Sequence, residues 1–62
     1  MKENKVKQEW DVDDLIYRGV NENAKASDDT SDWEITKNVY VDGALTESTV
    51  RITSWTNRAT GW

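Results

Sequence analysis

Sixty-two residues make one domain at most, and a domain of that size buries only about 60% of the surface its unfolded chain exposes. The chain has no Cys and no His, which excludes disulfides, thiolate or imidazole metal sites and a Ser-His nucleophile. A net charge of −4 makes phosphate backbones poor partners, and no apolar run reaches the length of a membrane span.

Chains below about 70–80 residues usually need a staple. Here four Trp and two Tyr supply the large apolar area, and self-association is the staple still open. A single domain over 1–62 and a homodimer are therefore expected.

Residues 1–5 read as a frayed tail. Val6, Gln8 and Trp10 then alternate with Lys7 and Glu9, so residues 5–10 suit a third strand or the lead-in to a helix. The helix signal follows at once. Asp11 is a good N-cap, Asp14 stands three residues on, and Trp10 and Leu15 have hydrophobic-staple spacing. Val12, Leu15, Ile16 and Val20 share a helical face, and Gly19 suits the position just past a helix end. These features predict one short helix over about 12–18, with a strand over Leu15–Val20 as the competing reading.

Residues 21–32 form a polar connecting loop. Residues 11–34 hold eight acids against Arg18 and Lys25, a balance of −6, so the negative charge is concentrated here.

Residues 33–56 read as a β-hairpin. Asp42-Gly43 suits a type I′ turn, and both flanks are rich in β-branched and aromatic residues. Counting outward from Val41/Ala44 pairs Val39 with Thr46, Ile35 with Val50, Trp33 with Ile52 and, on the other face, Glu34 with Arg51. This register gathers Trp33, Ile35, Val39, Val41, Val50 and Ile52 on one side, with Lys37 and Ser48 in its middle. Thr53–Thr56 overruns the first strand, Trp55 falls on the polar face by parity, and Trp62 follows Gly61 at the end. The fold expected is thus α+β: a two- or three-stranded antiparallel sheet with the helix packed on the Trp33/Ile35 face.

No catalytic chemistry emerges from these residues. Asp11, Asp13 and Asp14 lack the alternating ligands, Gly and closing acid of a calcium loop. Paired carboxylates for glycoside chemistry need a cleft. Gly19, Gly43 and Gly61 are too scattered for a phosphate loop. No cofactor, metal or catalytic residue is expected, and the chain is expected not to be an enzyme. The leading expectation is a non-enzymatic protein-binding inhibitor or modulator. Its acids Asp11, Asp13, Asp14, Asp28, Asp29 and Asp32 would imitate DNA phosphates on a basic site of a partner. Small, acidic phage and mobile-element proteins that bind host factors share this character, and the absence of Cys and of sequons fits an intracellular, cytoplasmic location. The alternatives are a small homo-oligomeric structural subunit and, against the charge, a single-strand nucleic-acid binder using Trp55, Trp62, Arg51 and Arg58. Self-association is expected through Thr53, Trp55 and Trp62.

Overall fold

The computed structural model describes residues 4–62 and contains four strands and no helix among them. They are β1 (Lys5–Asp11), β2 (Asp14–Asn21), β3 (Trp33–Val41) and β4 (Ala44–Thr53). Each pairs antiparallel with its chain neighbour, so the sheet order is β1-β2-β3-β4. The protein is a small all-β domain, and the α+β expectation is corrected. Of the tail expected over 1–5, residues 1–3 lie outside the described residues and Lys5 opens β1.

The helix expected over 12–18 is a hairpin turn at 12–13 followed by strand. Two turns of helix are too short to hold without packing. Leu15-Ile-Tyr-Arg-Gly-Val20 gains more as a strand, because it bonds β1 on one edge and β3 on the other. Asp11 therefore caps nothing. It pairs directly with Asp14 across a hairpin whose turn is Val12-Asp13. Gly19, which suited a helix end, has a different use described below.

The second hairpin turns where expected. Asp42 and Gly43 have φ of 52° and 79°, the two positive values a type I′ turn requires. Its register then departs from simple counting. Val41 faces Ala44 and Tyr40 faces Leu45, but Val39 faces Glu47, leaving Thr46 as the extra residue of a β-bulge. The Thr46 hydroxyl donates to the Val39 carbonyl at 3.1 Å, which anchors the bulge. Beyond it every pair is displaced by one: Thr36 faces Val50, Ile35 faces Arg51 and Trp33 faces Thr53. The expected pairs Trp33–Ile52, Ile35–Val50 and Glu34–Arg51 do not form. One inserted residue moves Val50 and Ile52 to the opposite face from Ile35. A second bulge, at Ile16, lies between the Glu9–Tyr17 and Trp10–Leu15 pairs.

One face of the sheet is covered and one is open. The cover consists of the 22–32 loop and the C-terminal strap, residues 54–62. Beneath it lie Trp33 and Ile35, both with no exposed surface, joined by Ala26 and Trp55. The Trp33 indole N–H donates to the Ser27 carbonyl at 2.9 Å, so the buried ring keeps its polar atom satisfied. Trp55 tilts against Trp33, with ring centroids 6.1 Å apart, and lies flush over Gly19. A Cβ on Gly19 would stand 2.6 Å from Trp55 Cε3 and 3.0 Å from Ile35 Cδ1, so only a bare backbone fits there.

Two substitutions test this arrangement. Gly19→Ala should destabilise the fold by about 1–3 kcal/mol, the usual range for overpacking. Trp33→Ala should cost about 3–5 kcal/mol and leave little folded protein. Urea melts followed by far-UV circular dichroism give both values, and a neutral Gly19→Ala would mean that the strap does not sit on the β2 backbone.

Candidate functional site: an inverted sheet and an acidic hairpin end

The polarity of the two faces is unusual. On β1, half-buried Lys5, Lys7 and Glu9 point under the cover, while Val6 and Trp10 point outward, 47% and 55% exposed. On β4, half-buried Arg51 points under the strap and Val50 and Ile52 point out, 57% and 62% exposed. A sheet with one solvated face normally shows the reverse alternation.

The covered cations all have partners. Lys7 bonds both oxygens of Asp28, at 2.6 and 2.7 Å, and lies 5.8 Å from the Trp55 ring centre. Arg58 grips Glu9 with two bonds of 3.0 Å and stacks on Trp55 at 4.7 Å. Lys37 and Arg51 flank the Trp62 ring at 5.5 and 5.0 Å. Gly61, at φ 81°, closes over the Arg51 guanidinium, and the Trp62 indole N–H donates to the Arg58 carbonyl. Each strap tryptophan is thus held between two cations, an attraction that strengthens as the pair is desolvated. Lys37 looked like a flaw in an apolar face from sequence, and here it is a seat for Trp62.

These contacts place the expected self-association residues. Trp55 is 7% exposed and belongs to the chain's own core. Thr53 ends β4 opposite Trp33, and Trp62 is half-buried over Arg51. The structure brings these three residues to the cover of a single chain, with no exposed Trp55 ring to meet a second one.

The expected acidic residues divide into two groups. In the loop, Asp28 is tied to Lys7, Asp29 accepts from the Thr56 hydroxyl at 2.7 Å, and Asp32 accepts from Asn21 Nδ2 at 2.7 Å. Hydrogen bonding from Lys7 holds the Asp28 carboxyl below its ordinary pKa, and hydrogen bonding from Asn21 does the same for Asp32. Both groups serve the chain's own structure. Both hairpin turns lie at the other end of the sheet, because Tyr17 pairs with Lys37 and each turn follows a few residues beyond. Asp11, Asp13 and Asp14 of the first turn join Asp42 of the second. None of these four makes a side-chain hydrogen bond or ion pair among the described residues. Asp11 and Asp14 face each other directly, a like-charge pairing that works against the hairpin. Between them Val12 has φ of 56° and is 90% exposed. A β-branched residue is seldom found in that left-handed region, and holding it there costs about 1–3 kcal/mol.

Two other features complete the surface. A shallow hollow of about 390 Å³ lies at the loop end of the open face, lined by Asn4, Val20, Asn21, Glu22, Asp32, Glu34 and Ile52. Among the described residues, no group of three or more His, Cys, Asp or Glu could hold a metal ion, and no helix is long and apolar enough to cross a membrane. No protein-family model matches the chain, and no curated protein or solved structure is significantly similar to it.

The ion pairs under the cover predict a response to acid. The hydrogen bonds from Arg58 to Glu9 and from Lys7 to Asp28 hold both carboxyls below their ordinary pKa values. A lowered folded-state pKa adds stability that is complete above the unfolded value and lost as pH falls through the folded one. Stability should therefore decline from about pH 4 downward, the range of unperturbed carboxylates. Glu9 is 38% exposed and Asp28 44%, so solvent screening keeps each contribution modest. Glu9→Gln should lower stability at pH 7 and flatten the acid decline, as read from denaturant midpoints across pH 2–7. An unchanged pH profile would remove Glu9 as a contributor.

Proposed function

We propose that this chain is a non-enzymatic binding protein whose acidic hairpin end engages a basic surface on a protein partner, as an inhibitor imitating DNA phosphates would. The observation that carries the reading is the contrast between its two sets of acids. Those in the 22–32 loop are spent on the chain's own lysine, threonine and asparagine. Asp11, Asp13, Asp14 and Asp42 are left without side-chain partners among the described residues, and two of them oppose each other at a cost. Strained backbone of the kind seen at Val12 clusters at binding and switch regions. Val12 adds an apolar tip between the carboxylates, suited to a pocket with a basic rim.

The mechanism is occupancy. Negative charge on a rigid hairpin raises the encounter rate with a basic cleft and blocks it once docked. The same charge repels nucleic acid, so the partner is the protein that binds phosphates and not the phosphates themselves. A cytoplasmic setting fits a chain without cysteine.

Immobilised protein should capture basic nucleic-acid-binding proteins from cell extract at low salt. It should release them as ionic strength rises, and duplex DNA should compete. Asp11→Asn/Asp13→Asn/Asp14→Asn should abolish capture, whereas Asp29→Asn should leave it intact. Capture that survives the triple change would refute a role for the hairpin end.

A further inference from the structure

We infer that the open face of the sheet is an interface for a second copy of this chain, packed face to face as a two-sheet sandwich. This goes beyond the binding role of the hairpin end and uses different residues.

The first argument is the inverted alternation. Val6, Trp10, Leu45, Val50 and Ile52 all stand on the open face at 47–62% exposure, while charged residues of the same edge strands are turned inward. Trp10 pairs with Leu15, and Tyr40 reaches the Leu15 carbonyl and pairs with Leu45, so half-buried Leu15 and Tyr40 carry the apolar surface from edge to edge at the hairpin end, with the polar Thr36 and Asn38 of β3 beside them. Large contiguous apolar surface on a small protein marks an interaction site.

Area is the second. The molecule measures 37 × 26 × 16 Å, so the broad face covers roughly 900 Å², close to the ~800 Å² per partner of a standard stable interface. The monomer's own core is small: Ala26, Trp33, Ile35 and Trp55 are its buried apolar residues. A second apolar layer between two sheets about 10 Å apart would supply the staple that composition withholds.

Charge selects the occupant. The chain carries −4, yet among the described strand residues two charged side chains fall on the open face by register, Arg18 on β2 and Glu34 on β3, with Glu22 and Asp32 at its loop-end rim. Arg18 faces Thr36 and Val20 faces Glu34, so Arg18 and Glu34 are diagonal neighbours on the two inner strands, toward the loop end. Neither forms an ion pair among the described residues. A two-fold axis lying in the interface between them would set Arg18 of each copy against Glu34 of the other. That is the self-complementarity a symmetric interface requires. Within the strands the two charges of this face cancel, whereas the hairpin end offers a basic partner carboxylates with no cation beside them among the described residues.

Charge exchange in the full-length chain tests the inference. Sedimentation equilibrium should show a monomer–dimer equilibrium, and melting temperature should rise with concentration. Raised salt should leave the dimer as tight or tighter, since two −4 chains repel; capture of a basic partner should weaken under the same change. Arg18→Glu and Glu34→Arg should each raise the dimer dissociation constant at least about tenfold, because like charges then meet twice across the axis. The double exchange should restore dimerisation, a recovery that misfolding cannot produce. Ile52→Glu should give a monomer with an unchanged circular dichroism spectrum. A folded monomer at every concentration would overturn the inference, as would a dimer indifferent to both single exchanges or a double exchange that fails to recover. Loss of partner capture in the Asp variants with dimerisation intact would separate this interface from the hairpin end.

Discussion

Everything under the cover depends on one close approach, the Trp55 ring on the bare backbone of Gly19. The glycine leaves a dent in β2, and the indole fills it while leaning on Trp33. That position brings Arg58 within reach of Glu9 on β1 and leaves Trp62 over Arg51 on β4. The strap therefore ties the first strand to the last, although these are the two edges of the sheet. In a chain this short, one seated tryptophan replaces the helix that an α+β fold would have used as its second layer.

The inversion of the edge strands follows from the same strap. Its tryptophans offer π-faces to the sheet, and cations suit those faces better than aliphatic side chains do. Lys7, Lys37 and Arg51 accordingly point inward. In strands where residues alternate, turning the charged set inward necessarily turns Val6, Trp10, Val50 and Ile52 outward. The open apolar face is the geometric complement of a cation-rich interior.

Parts of this were legible from residues alone. Asp42-Gly43 marked a type I′ turn, β3 and β4 were rich in strand formers, and the alternation over 5–10 allowed β1 as one of two readings, the other being the lead-in to a helix. The register was not legible, because nothing in Ala44-Leu-Thr-Glu-Ser distinguishes a bulged Thr46 from a regular one. The cost of that hidden residue was large, since it decides which side of the sheet Val50 and Ile52 occupy. The segment 11–19 misled for a definite reason. Asp, Gly and spaced apolar residues serve a helix end and a hairpin end equally well, and the choice was made by pairing with β1 and β3. Gly19 could be recognised as special, but not that Trp55, 36 positions on, was the cause. Of the candidate acids, the sequence marked all six alike; only the neighbours of Asp28, Asp29 and Asp32 separate structural carboxylates from unpartnered ones.

The position of the strap along the chain bears on synthesis. The meander pairs each strand with the next, so the sheet's hydrogen bonds can form in order as the chain emerges. The layer that hides Trp33 and Ile35 cannot. It needs residues 54–62, which reach the sheet only after all four strands have left the ribosome. Until then Trp33 is uncovered on one side of the sheet and Trp10 on the other. Hiding Trp33 and Ile35 therefore waits on the seating of a single indole, that of Trp55 on Gly19.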